Sequence, residues 1–557
     1  MAHQNFLKPR FGAETRAIIV DGYPTARSLL ASHLRSLGVE QITQCGRASE
    51  ARANMAARGY DVLVCEHRLA CGTLGQDLID ELRRSEVLSL ATVVLMVSSE
   101  ATYRVVAQVA ESALDGFIIK PFSVGDLEDR ILRAFVRKES LKHILDALDE
   151  RRYADALALC ETRFKQRGPH WTSAARLGAE LAMRENRMPL ASAMFDAVIQ
   201  DKAVPWAKLG IARVLEASDQ KGEALSTIER LLASEPNYAD AYDVMGRLHT
   251  EQGNFGAAIN AYKQASTITP NSVLRAQKYG ILAHYAGQQD EAVLALERAV
   301  AVGLESPYFD HQALVALAVC RYRRADVEGL KRCREMIDAA NGNQPAMPTE
   351  GLAPNDRFRR DRLLRMGRLV AAFDRLLDGN TESAIHDVEA LAASLLSPEF
   401  DVEAATNLLS LLSAAVAAGG VVPQAEEWVR ATGRRFCVSR HATELLARAC
   451  EGVPVFADLL RGAHAEISEA SRSALSEGLS GRHGQAVEKL LDWIGRTLNG
   501  KLLEVAEATI ARYEEKLHDV EGLRARCEDL KRRCGRAVKQ RLLAEAHDTA
   551  PSAAWVA

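Results

Sequence analysis

Four polar side chains in the first quarter of the chain each follow a short apolar run. Asp21 follows "AIIV" (17–20), Glu66 follows "VLVC" (62–65), Ser98 follows "TVVLMV" (92–97) and Lys120 follows "FII" (117–119). A carboxylate that ends a buried run stands where chemistry often sits. Brought together, two carboxylates, a hydroxyl and an ammonium make one polar pocket that binds a charged ligand or closes on itself through ion pairs.

The elements that must position them are legible as a pattern. A weaker run, "QITQC" (41–45), supplies a further strand, and amphipathic segments lie at 26–38, 74–86 and 101–113. Apolar runs alternating with helical segments predict an α/β domain, a parallel sheet covered on both faces. In such a sheet the strand ends converge on one edge, which places Asp21, Glu66, Ser98 and Lys120 around one pocket.

Residues 14–137 resemble the receiver domain of bacterial two-component response regulators, the flavodoxin-like fold with a parallel five-stranded sheet. The resemblance rests on "GFIIKPF" (116–122), "VSSEA" (97–101) and "IVDGYPTAR" (19–27). It implies that Lys120 contacts a phosphoryl group, that the Lys120–Pro121 bond is cis, and that Ser98 and Phe117 are switch residues. It further implies that Asp21 and an acidic neighbour hold Mg²⁺, and that an aspartate ending the third strand accepts phosphate. The sequence departs from this pattern at two central places. The second acidic position is Gly22, and the phosphoacceptor position is Glu66; Arg68 and Ala70 follow where the usual Pro would stand at 70.

Magnesium wants near-octahedral oxygen ligands, so losing one acid at Gly22 predicts a weakened metal site without high occupancy. Glu66 reaches one methylene further than aspartate, which misplaces a nucleophile for in-line transfer. Efficient phosphorylation is therefore not expected. Three readings of Glu66 stay open: a structural ion pair with Lys120, a pair that imitates the phosphorylated state and fixes Ser98 and Phe117, or slow phosphorylation.

From Asp126 to Gln166 there is neither glycine nor proline, so helix, or helices in close succession, should link the first domain rigidly to the next. Residues 138–340 then carry a repeat. The unit 239–272 has Tyr242, Met245, Gly246, Gly253, Phe255, Ala258, Tyr262, Ala265 and Pro270. These spacings resemble a tetratricopeptide repeat, whose period is about 34 residues. The next unit offers Tyr279, Gly280, Gly287, Ala292, Leu296 and Ala299. The preceding one offers Trp206, Leu209, Gly210 and Ala224, with about two extra residues between its helices.

Helix pairs that cannot bury their apolar faces alone stack into an all-α superhelix with an extended concave surface. The resemblance implies protein-binding there, with Asp243, Arg247, Glu251, Gln277, Ile281 and His284 as the groove-facing positions.

The segment 341–356 is rich in Gly, Pro and Asn and marks a boundary. Residues 357–500 read as helical, with degenerate repeat register. Residues 501–547 read as one long helix with a stripe through Ile510, Tyr513, Leu517, Val520, Cys527, Leu530 and Cys534, which would allow a short coiled coil and a homodimer. The basic run 357–368 reads as a solvated face, and with a net charge of −4 nucleic acid is not expected as a partner. No apolar run is long enough to span a bilayer. The ten cysteines include no Cys-x-x-Cys pair, and the cytoplasm is the expected location.

These readings lead to a noncatalytic signalling adaptor in which a pseudo-receiver positions or controls a repeat array that binds proteins. The alternative is a phosphorylation-dependent response regulator served by a histidine kinase or phosphotransfer protein, again with protein-binding output.

Overall fold

The computed structural model describes residues 14–69, 74–100, 114–304, 306, 308–342 and 354–535. The segment 101–113, read above as a helix, lies outside them, as do Ala70, residues 343–353 of the expected boundary and the tail from 536.

Five parallel strands form the N-terminal sheet: β1 (Arg16–Val20), β2 (Gln41–Cys45), β3 (Val62–Glu66), β4 (Val93–Ser98) and β5 (Gly116–Ile119), in the order β2-β1-β3-β4-β5. Side chains alternate across a strand, so one run serves two cores. Ile18, Val20, Leu63, Cys65, Val94 and Met96 face the helices Ala48–Ala57 and Gly75–Arg84. Ala17, Ile19, Val62, Val64 and Leu95 face Pro24–Ser36 and Val124–Ser140. Burial on both faces is why these runs are apolar throughout rather than alternating. Glu66 and Ser98 are the last residues of their strands, while Asp21 and Lys120 come directly after theirs.

Helix Val124–Ser140 begins with a capping box: Ser123 Oγ accepts from the Asp126 amide and the Asp126 carboxylate accepts from the Ser123 amide. Only Leu141 separates it from helix Lys142–Asp149, and Tyr153–Gln166 follows closely, as the unbroken composition predicts. The junction is tied by buried polar contacts. Lys138 Nζ lies 2.7 Å from Asp115 and donates to the Thr92 carbonyl. The Asp149 carboxylate accepts from Ser89 Oγ at 2.6 Å and from the Leu90 amide at 3.1 Å. Leu90, from the α/β domain, packs in the same cluster as Ile144, Leu145 and Leu148 of the first helical pair.

The helical region is a stack of helices that pack mainly on their neighbours in sequence. Helices starting at Trp171, Pro205, Ala239 and Val273 recur at a step of 34 residues, each followed by a second helix. Gly246 lets its helix approach the next, since a Cβ there would meet the Tyr262 ring at 2.8 Å. The two extra residues expected in the unit before it are not there. The connection 218–220 is as long as 252–254, and the position equivalent to Gly246 is filled by the buried Ala212 rather than Gly210.

Two further expectations need correction. The long helix 501–547 is two helices among the described residues, Gly500–Arg512 and Val520–Cys534, separated by a short 3-10 turn. Asp519 caps the second by accepting from the Gly522 amide. Ile510, Leu523, Cys527, Leu530 and Cys534 bury themselves against Leu490, Leu491 and Ile494 of the same chain, so this stripe is not left free to pair with a second copy.

The array also curls onto its later part. Helices Val402–Ala417 and Arg440–Ala449 share one core with Val273–Tyr285 and Gln312–Arg323. Gln312 donates to Asn407 at 3.0 Å, and Arg362 pairs with both Asp310 and Glu403.

Candidate functional site

At the sheet edge, the Lys120 ammonium sits between the two carboxylates. Its Nζ lies 2.9 Å from Asp21 Oδ2 and donates to Glu66 Oε2. Asp21 is fully buried; its Oδ1 accepts from the Tyr23 amide at 2.8 Å. Glu66 Oε1 accepts from the His67 amide at 3.2 Å, and only 8% of its side chain is exposed. Burial raises the Glu66 pKa, and the Asp21 charge adds to the rise, while Lys120 opposes it. Burial would lower the Lys120 pKa, but its bonds to Glu66 and Asp21 outweigh that and raise it. Across neutral pH the pair therefore holds its ammonium.

The remaining pocket residues lie where the strand ends bring them. Ser98 is buried, with its hydroxyl accepting from the Glu100 amide at 3.0 Å, and its carbonyl accepts from the Lys120 amide at 2.8 Å. Phe117 is half-buried against the cluster that contains Met96 and Leu114. The Lys120–Pro121 peptide bond is cis.

The donor set does not fit a resident Mg²⁺. Gly22 supplies no ligand, the described residues contain no group of three acidic, His or Cys side chains placed to hold a metal ion, and the two carboxylates already share an ammonium.

The groove residues do not form one open face. Gln277, Ile281 and His284 are buried. Gln277 accepts from the Asp310 amide at 2.9 Å and donates to the Tyr308 carbonyl at 3.0 Å, so it holds a turn of the array rather than a ligand. His284 Nδ1 lies 3.2 Å from Cys320 Sγ. Asp243 pairs with Arg275, Arg247 with Glu216, and Glu251 with Lys221, each across neighbouring repeats. Helix Val402–Ala417 packs against the far end of this series, at Tyr285 and Gln312.

Sequence reasoning missed a contact between the helix after β3 and the array. Gly75 approaches the Glu66 carbonyl so closely that a Cβ would lie 2.2 Å away. Further along this helix, Asp77 hydrogen-bonds Ser306, and burial pushes its pKa up to about 6. The Arg83 guanidinium is buried near Tyr308, and its three nitrogens have no hydrogen-bond partner among the described residues. The amphipathic period of 74–86 signals the helix; nothing local signals a partner some 230 residues away.

Residues 17–132 match the response regulator receiver domain family. Chemotaxis protein CheY of Pseudomonas aeruginosa is 29% identical over 122 residues, 22% of this chain and 97% of that protein. Chemotaxis protein CheY-3 of Vibrio cholerae is 27% identical over 122 residues, 22% of this chain and 92% of that protein. Among solved structures, a tetratricopeptide repeat protein from Parabacteroides merdae is similar over 46% of this chain and 91% of that one, at 14% identity and a TM-score of 0.29. No helix among the described residues is long and apolar enough to cross a membrane.

Proposed function

We propose, for a chain that carries a receiver domain ahead of a stack of helix pairs, the role of a noncatalytic signalling adaptor. The receiver acts as a pseudo-receiver, and the helical array binds partner proteins. The observation that carries this reading is the Lys120 bridge between Asp21 and Glu66. A cation held between the two carboxylates takes the place that a phosphoryl group and its metal would share, and the longer Glu66 arm closes the pocket from the other side. Ser98 and Phe117 are then held in one arrangement rather than switched between two. The helix from Gly75 carries that arrangement to the array at Ser306.

The test is incubation of the full chain with acetyl phosphate and Mg²⁺, followed by intact mass. No adduct is expected. A stoichiometric phosphate adduct at Glu66 would instead favour a phosphorylation-dependent regulator. Affinity capture with the full chain and with Glu66→Ala separates the output: a partner retained equally by both forms argues against control by the receiver pocket.

A further inference from the structure

Where the later helices meet the array lies a half-open cavity of about 230 Å³. It lies between the ends of three helices, Val273–Tyr285, Gln312–Arg323 and Arg440–Ala449, and the middle of a fourth, Val402–Ala417, at Ser410. At ~30 Å³ per molecule it has room for about eight waters, the size of a small metabolite rather than of a peptide.

Its lining mixes apolar and polar surface, and its charged groups are biased toward positive charge. Arg323 and Arg448 both line it, against one carboxylate, Glu451. Arg323 pairs with Glu451 at 2.7 Å, but that carboxylate is 62% exposed at the rim while the Arg323 side chain is only 20% exposed. Arg448 spends one guanidinium nitrogen on the Ala286 carbonyl and forms no ion pair with an acid among the described residues. Ser410 adds a hydroxyl to the wall. His284 adds none of the charge: burial, helped by Arg323, pushes its pKa down to about 3, and its Nδ1 is turned to Cys320. Two guanidinium groups from different helices, opposed by one rim carboxylate, can hold a planar or tetrahedral anion through charge-assisted hydrogen bonds.

We propose that this cavity binds a small organic or inorganic anion carrying a carboxylate or phosphate group, with Arg448 and Arg323 as its donors. The site is separate from the receiver pocket, and its occupant bridges the repeat helices to the helices that close over them.

Calorimetric titration of the full chain at low salt tests this, with inorganic phosphate, succinate and the neutral succinamide as probes. Phosphate or succinate is expected to bind and succinamide is not; which of the two binds identifies the anionic group. Arg448→Gln should weaken binding by about ten- to hundredfold, as expected for losing a hydrogen bond to a charged group. Ser410→Met, which fills the cavity without altering charge, should abolish it. Glu451→Gln should tighten it by removing the competing acceptor. Because Arg448 is exposed, its replacement leaves the core intact, and an unchanged melting temperature verifies that. Absence of binding by both anions at 10 mM (a concentration about tenfold above a millimolar Kd) would overturn the proposal. So would binding that survives Arg448→Gln and Ser410→Met unchanged.

Discussion

Replacing Lys120 by methionine keeps an unbranched apolar stem and removes the ammonium from between Asp21 and Glu66. Breaking a buried ion pair by deleting one partner costs about 3–5 kcal/mol. Here the two carboxylates are almost fully enclosed, with 1% and 8% of their side chains exposed, but the Lys120 side chain is 26% exposed. The lower end, about 3 kcal/mol, is therefore expected. At 1.4 kcal/mol per factor of ten, this corresponds to roughly hundredfold faster amide exchange in β3 and β5. The effect has a defined pH dependence. Burial already raises the Glu66 pKa, and without Lys120 only the His67 amide bond opposes that rise. A carboxyl whose folded pKa lies above its unfolded value of about 4.3 carries no penalty below that value. The penalty grows as pH rises through the folded pKa. Lys120→Met should thus be nearly silent at pH 4 and fully destabilising at pH 7.5. Hydrogen exchange read by mass spectrometry on peptides covering 60–69 and 114–122 measures it. Glu66→Gln, which leaves the Lys120–Asp21 pair, should cost far less. Less than a tenfold change at pH 7.5, or an equal change at both pH values, would refute the bridged-pocket argument.

Restoring the acids should reopen the pocket: Gly22→Asp with Glu66→Asp is expected to gain an Mg²⁺-dependent phosphate adduct from acetyl phosphate by intact mass, where the native chain gains none. Asp77, with its pKa pushed up to about 6 by burial, contributes stability at low pH that is lost as pH rises through about 6, so amide protection around Ser306, relative to the intrinsic exchange rate at each pH, should fall from pH 5 to 7.5 and stay constant in Asp77→Asn. Arg83→Met removes a buried guanidinium without hydrogen bonds and should raise stability by about 1–3 kcal/mol, seen as a higher melting temperature. Gly246→Ala drives a methyl into the Tyr262 ring and should destabilise by about 1–3 kcal/mol, whereas Gly256→Ala, which meets open space, should be neutral or slightly stabilising in the same melt.

The receiver domain and its pocket were legible because the signals are local. Apolar runs of three to six residues fixed the strands to within a residue, and the strand-end rule placed Asp21, Glu66, Ser98 and Lys120 together. The period of 34 was legible for the same reason: small residues such as Gly246 and Gly280 must stand where helices touch. The groove was not. Gln277, Ile281 and His284 have the spacing of a concave face, but whether that face is open depends on packing with later segments, including the helix from Val402, whose register is degenerate. The stripe at 510–534 likewise cannot tell a partner helix in the same chain from one in another. The break before Val520 was written in Asp519, a capping residue three places ahead of Gly522, and a closer reading would have found it.

The closure of the array has a consequence for how the chain is made. A repeat stack ordinarily completes itself unit by unit as it leaves the ribosome, each pair sealing the one before. Here the helix ending at Tyr285 is capped by Arg448, whose contact to the Ala286 carbonyl spans 162 residues. At 5–20 residues per second, that stretch takes roughly 8–32 s to synthesise. For that interval the half-built array presents an apolar flank to the cell, with Ile281 and Leu314 among its residues. Chaperone association with the nascent chain is therefore expected in that window, between the emergence of Tyr285 and the arrival of Arg448.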